Sequence, residues 1–213
     1  MHRIRILLLV IFLMGCSPLS VRAERVVLFL GDSLTAGLGV EAEESYPQLL
    51  GGLLARDGIE DVRIVNGGLS GSTSASALTR LKWYGRVRPS VLFLALGAND
   101  GLRGLTIEEM EKNLAEVIAF AKARGMTVIL AGMELPPNYG DAYTGAFRAV
   151  YRDLAARHGV ELIPFLLEGV GGVPALNQAD GIHPNAEGHR RIALHVYPVL
   201  KHHLLTTHAD QKQ

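Results

Sequence analysis

The chain has little cysteine, no net charge and no hydrophobic run long enough to cross a bilayer. Its 213 residues include one cysteine, Cys16. One thiol cannot close an internal disulfide and cannot alone make a Cys-type zinc site. Twenty-one Lys and Arg balance 21 Asp and Glu. A neutral chain is poorly suited to wrapping nucleic acid, which needs a basic face. The hydrophobic fraction, 48%, is too high for a disordered protein. No Gly-x-x-x-x-Gly-Lys-Ser/Thr occurs, so a P-loop enzyme is unsupported. No Gly-x-Gly-x-x-Gly follows the first apolar segment of the body. The α/β-hydrolase elbow Gly-x-Ser-x-Gly is missing too, because Thr35 stands where Gly31-Asp32-Ser33 would need its last glycine. Gly68-Leu69-Ser70-Gly71-Ser72 also fails at spacing. The eight histidines make no His-x-x-x-His pair with a nearby carboxylate, and no metal or organic cofactor is expected. His202, His203 and His208 near the end carry no metal pattern.

What is present begins with an export leader at residues 1–23. Arg3 and Arg5 form a positive start, and Ile6 to Met14 is an apolar run of signal-peptide length. That run is too short to span a membrane. Cleavage after Ala23 is one reading of Val21-Arg22-Ala23. The other is a lipobox at Leu13-Met14-Gly15-Cys16, which would lipidate Cys16 and tether the protein to a membrane. An uncleaved anchor is a third reading. The exported protein is thus expected in the periplasm, secreted, or held as a lipoprotein. Loss of residues 1–23 removes three Arg and no acid, leaving 18 basic against 21 acidic side chains.

Residues 24–205 alternate strand and helix. Val26–Leu30, Val62–Val65, Val91–Leu96, Thr127–Leu130 and Glu161–Ile163 are short apolar runs of the kind buried on both faces of a parallel sheet. Capping-box patterns at Ser45-Tyr46-Pro47-Gln48 and Thr106-Ile107-Glu108-Glu109 open two helices. Tyr143 to Leu154 forms another helical stripe, closed by Gly159. Asn185 caps the last helix, which Pro198 is expected to kink or end. Strands separated by helices imply parallel pairing through right-handed crossovers. The reading is one three-layer α/β/α domain with a five-stranded sheet, and a frayed tail at 206–213. A monomer is expected.

Ligands in open parallel sheets bind at the carboxyl ends of the strands. Gly31-Asp32-Ser33-Leu34, Gly67 to Ser72, and Gly97-Ala98-Asn99-Asp100 all follow strands, and Asp180-Gly181-Ile182-His183-Pro184 precedes the last helix. These segments supply what acyl transfer needs. Ser33, on a sharp turn, is the candidate nucleophile. His183 is the base, and Asp180, three residues earlier, can hold the other imidazole nitrogen. The backbone N–H groups of Ser33 and Gly71 and the side-chain amide of Asn99 can stabilise the oxyanion. Each element alone has a plain alternative: turn residue, surface histidine, helix cap. Asp32 and Asp100 read as loop braces, and Trp83 and Tyr84 as packing or cleft-rim residues.

Taken together, these blocks resemble the SGNH (GDSL) hydrolase superfamily, from Val26 to about Leu200. Asn99 to Gly104 and Leu135 to Gly140 resemble its exported thioesterase I/lysophospholipase L1/arylesterase branch. The resemblance implies a flavodoxin-like strand order of 2-1-3-4-5. It implies hydrolysis of acyl thioesters, aryl esters and lysophospholipids, so the partner is a small-molecule acyl ester or lipid. It also implies a loop, Asp100 to Leu105, that closes on the acyl chain, with Asp100, Leu102, Leu105, Pro137 and Tyr139 as candidate substrate contacts. Ala98 stands where that branch usually has glycine. Apolar loop residues Leu102, Leu105, Leu135, Val170, Val173 and Leu176 favour an acyl chain over a sugar. A carbohydrate acetylesterase on the same scaffold is one alternative. A non-enzymatic flavodoxin-like module, with Asp32 to Gly37 cradling a phosphate, is the other; it leaves the Asp180–His183 pair and Asn99 without a task.

Overall fold

A computed structural model describes residues 24–210. The expected leader, its two processing sites and the last three residues lie outside the described residues.

Five apolar strands form the middle layer: β1 (Arg25–Gly31), β2 (Val62–Gly68), β3 (Val91–Ala95), β4 (Thr127–Ala131) and β5 (Glu161–Ile163). All pairs are parallel, in the order β2-β1-β3-β4-β5. That is the order the family resemblance implied. β1 lies between β2 and β3, with Leu28 in register with Val65 on one side and Leu92 on the other. A strand paired on both edges and covered on both faces must be apolar throughout, and Val26 to Leu30 are all buried.

The helices are α1 (Ser33–Ala36), α2 (Tyr46–Arg56), α3 (Ala77–Tyr84), α4 (Ala98–Leu102), α5 (Ile107–Lys122), α6 (Asp141–His158) and α7 (Ala186–Asp210). α2 packs on α7, while α3 packs on α5 and α5 on α6. The sheet lies between these two layers. Phe29 and Phe93 are in register across β1 and β3, so their rings share a face, 4.8 Å apart. The ring of Tyr46 from α2 meets Phe29 edge-on.

Several local expectations change. α3 was not foreseen, although Ala77, Leu81 and Tyr84 have helical spacing and the first two are buried. Neither capping box forms. The Ser45 hydroxyl donates instead to the Ala42 carbonyl, 2.6 Å away in the preceding turn, and Pro47 has no N–H to offer it. Thr106 makes no side-chain cap, and Glu108 and Glu109 face the positive end of the α5 dipole. Asn185 does cap α7, its Oδ1 accepting from the N–H groups of Glu187 and Gly188 at 3.0 Å. α7 also continues through Pro198. Ile192 and Val196 before the proline and Leu200 and Leu204 after it are buried, so core packing holds the helix across the missing hydrogen bond.

His189 joins α7 to α2. Its ring is buried and stacks on Tyr46 at 12°. Its Nδ1 accepts the Tyr46 N–H at 3.3 Å, and its Nε2 has no partner. Burial holds the imidazole neutral, with a pKa lowered to about 4. An unfolded histidine takes its proton first, near 6.5. The neutral ring's contribution is therefore complete above that value and is lost as pH falls through about 4. Between these values the wild type should lose roughly 2 kcal/mol more unfolding free energy than His189→Leu. Urea unfolding at both pH values measures this; parallel losses would show that His189 does not titrate on unfolding.

Candidate active site

The site is built on the turn that ends β1. Gly31 has no room for a side chain, since a Cβ there would lie 1.9 Å from Thr35 Oγ1. The chain therefore folds back at once into α1. Asp32 caps that short helix, its Oδ1 accepting the Leu34 N–H at 3.0 Å. Ser33 begins the helix with its hydroxyl beside the cleft. Thr35 Oγ1 and the Tyr46 hydroxyl are 2.8 Å apart, and Asn66 donates to the Thr35 carbonyl at 2.8 Å. Gly68 lets α1 rest on β2, because a Cβ there would lie 2.2 Å from the Ala36 nitrogen. Arg80 of α3 donates to the carbonyls of Gly31 and Gly67. It thus ties the ends of β1 and β2 together, a role its sequence setting did not signal.

Three separated residues meet there. Ser33 Oγ is 2.9 Å from His183 Nε2. His183 Nδ1 is 2.7 Å from Asp180 Oδ2. Asp180 Oδ1 accepts the backbone N–H groups of Ile182 and His183, each at 3.0 Å. The imidazole and these two N–H donors favour the charged carboxylate and lower the Asp180 pKa to about 2.

Asn99, in α4, points its amide at the same turn. Nδ2 donates to Asp32 Oδ2 at 3.3 Å and to the Ser72 carbonyl at 3.1 Å. Gly71 has φ +75°, open to glycine without strain. It lies outside the cleft lining, and its carbonyl accepts from Arg103 at 2.9 Å. The N–H of Ser33, at the first position of α1, has no intrahelical acceptor.

A cleft of about 430 Å3 opens beside Ser33 and His183. Its wall is mostly apolar and includes Leu34, Leu102, Met133, Leu135, Phe165 and Leu167. Of the five candidate substrate contacts, Leu102 and Pro137 line it; Asp100, Leu105 and Tyr139 do not. Asp100 is 3% exposed, and both its oxygens accept from Ser74, one from N–H at 2.9 Å and one from the hydroxyl at 2.6 Å. It is a brace between α4 and the loop before α3. Tyr139 donates to the Leu102 carbonyl at 2.9 Å, and the Leu105 carbonyl accepts from Tyr143 at 2.9 Å. These two hold the Asp100–Leu105 loop from outside. Val170 is core, and Val173 lines a smaller neighbouring hollow. Trp83 is exposed at the opposite pole and does not rim the cleft. Met133 and Phe165 were missed, although each follows a strand and the carboxyl-end rule could have found it. Among the described residues no group of three or more His, Cys, Asp or Glu is placed to hold a metal ion.

The GDSL-like lipase/acylhydrolase family model matches residues 29–191. The chain belongs to this family. It is 42% identical to esterase TesA of Pseudomonas aeruginosa over 196 residues, 90% of this chain and 97% of that one. It is 37% identical to thioesterase 1/protease 1/lysophospholipase L1 of Escherichia coli K12 over 172 residues, 80% of this chain and 81% of that one. A crystal structure of TesA matches with a TM-score of 0.80 at 43% identity, covering 83% of this chain and 98% of that one. The chain is a carboxylic ester hydrolase of this family.

Asp32 carries the strongest electrostatic tension in the site. It is 2% exposed, and burial pushes its carboxyl up to about 6 despite the Leu34 and Asn99 donors. A raised acid pKa favours the protonated folded form. Its contribution is full below about 3.8 and lost as pH rises through about 6. From about pH 4 to pH 7 the wild type should lose about 2–3 kcal/mol more stability than Asp32→Asn. Urea unfolding at the two pH values reads this directly; equal losses would mean that the donors, not burial, set its ionisation.

Proposed function

We propose that this chain hydrolyses acyl esters and thioesters through an acyl-enzyme on Ser33. The observation that carries this reading is the unbroken chain Ser33–His183–Asp180 opening onto an apolar cleft. A serine hydroxyl is a weak nucleophile until a base takes its proton. His183 Nε2 is within reach to do so, and later returns the proton to the leaving oxygen or sulfur. Asp180 fixes the tautomer with the proton on Nδ1 and stabilises the imidazolium. Water then attacks the acyl-Ser33 carbon, with His183 as base again. The negative oxygen of each tetrahedral intermediate is met by the N–H groups of Ser33 and Gly71 and the amide of Asn99. Asn99 serves this role by exchanging one of its present acceptors, Asp32 or the Ser72 carbonyl, for the oxyanion.

The cleft wall supports an acyl chain as the part of the substrate held before attack. Acyl thioesters and lysophospholipids suit this apolar wall, and one relative is named a thioesterase and lysophospholipase. A sugar acetylester would want hydrogen-bonding partners where Leu34, Leu102, Leu135 and Phe165 stand. Residues 1–23 support export, with the protein released by cleavage after Ala23 or tethered through Cys16.

Ser33→Ala should abolish p-nitrophenyl ester hydrolysis with an unchanged circular dichroism spectrum. Asn99→Ala should lower kcat about 100- to 1,000-fold with little change in KM. Near-normal turnover without the Ser33 hydroxyl would overturn the mechanism, and an effect of Asn99 on KM alone would make it a binding residue. Mass spectrometry of the protein isolated from cells settles its anchoring: a free amino terminus at Glu24 means release, and diacylglyceryl Cys16 means a tether.

A further inference from the structure

The surface opposite the cleft has a character the esterase chemistry does not use. Between Asp61 and Asp100 the sequence contains five basic side chains and no acid. Arg80 is turned to the strand ends. Lys82, Arg86 and Arg88 are exposed at the far end of α3, beside Trp83, which is 55% exposed. Arg124, beyond the end of α5, joins them. The Arg86 guanidinium lies 3.4 Å from the Trp83 ring centre, and Arg124 lies 3.4 Å from that of Phe120. Lys82 Nζ stands over the same Phe120 ring at 5.6 Å. Phe120 thus links the two helices' cations into one patch. Among the described residues no acid pairs with Lys82, Arg86, Arg88 or Arg124.

Backbone pairing fixes where this patch is. The Ser90 N–H donates to the Val26 carbonyl at 2.9 Å, and the Thr127 N–H to the Ser90 carbonyl at 2.9 Å. The segments that carry Arg88 and Arg124 therefore lie side by side at the amino ends of the strands. Ser33 lies at the carboxyl end of β1, about 20 Å away along the strand. Glu24, where the preceding chain enters, is at the same pole as the patch, beside Arg63 at 2.8 Å.

We propose that this pole docks on an anionic lipid surface. Unpaired cations meet lipid phosphates, and Trp83 lies at the level where an indole sits with its ring in the headgroup layer. Docked in this way, the cleft faces away from the bilayer and takes substrate from the aqueous side.

The test mixes the full chain with phosphatidylcholine vesicles, with and without about one-third phosphatidylglycerol. Trp83 is the sole tryptophan, so its emission reports on this patch alone. The protein should float with the anionic vesicles at low salt and be released as salt rises. Trp83 emission should shift to the blue. Lys82→Gln and Arg86→Gln should each weaken vesicle binding about fivefold, with p-nitrophenyl ester turnover in solution unchanged. Arg124→Gln is the second variant should either misfold. Residues 1–23 are common to all these chains, so the difference between them reads the patch. An unshifted Trp83, equal flotation of the variants, or tighter binding to a DNA duplex than to the vesicles would overturn the proposal.

Discussion

The hydrogen bond between Ser33 and His183 joins residues 150 positions apart at 2.9 Å. Much of the fold can be understood as what brings those two atoms together. Ser33 is carried on the end of the central strand, β1, held on one side by β2 and on the other by β3. Its turn is tight because Gly31 leaves no space for a side chain above Thr35, and Gly68 lets α1 press onto β2. Arg80 then gathers the carbonyls of Gly31 and Gly67 at the ends of β1 and β2. His183 comes from the other direction, on a turn that Asp180 organises through two backbone N–H groups before it reaches the ring. The small, specific elements near Ser33 are consequences of one geometric demand.

Two aspartates show how placement decides chemistry. Asp180 lies open to solvent with three donors around it and stays ionised down to about pH 2. Asp32, next to Ser33, is buried and holds its proton up to about 6. The same side chain thus supplies a permanent charge at one end of the imidazole and a pH-sensitive brace beneath the serine. Asn99 connects the second of these to the oxyanion region, since its amide divides between Asp32 and Ser72. The molecule is also polarised at larger scale. The apolar lining with Ser33 and His183 lies at the carboxyl end of the sheet, and the exposed cations with Trp83 lie at the amino end.

Much of this was legible in residue order. Short unbroken apolar runs such as Val91 to Ala95 gave β-strands because a strand buried on both faces is apolar throughout and only a few residues long, and their separation by helices implied parallel pairing. Ser33, Asp180 and His183 stood out because three weak signals fell on expected strand ends or beside a helix start. The capping boxes misled because a box is a pattern of residue types, and another acceptor can hold the hydroxyl. At Ser45 the hydroxyl turns to the Ala42 carbonyl. Pro198 misled for a similar reason: the local penalty is real, but buried Val196 and Leu200 on either side outweigh it.

The sequence by itself determined the class of fold, the family and the candidate residues Ser33, Asp180 and His183, because each depends on residue type and short-range spacing. Tertiary structure alone decided which loop residues face the cleft. Asp100, Leu105 and Tyr139 sit in the right segments, yet their polar atoms are turned to Ser74, Tyr143 and Leu102. It also decided that Arg80 reaches two strand ends and that Arg86, Trp83, Lys82 and Arg124 share one surface. The physical reason is that side-chain direction and long-range partners follow from how helices seat on the sheet. Residue spacing along the chain does not encode that seating.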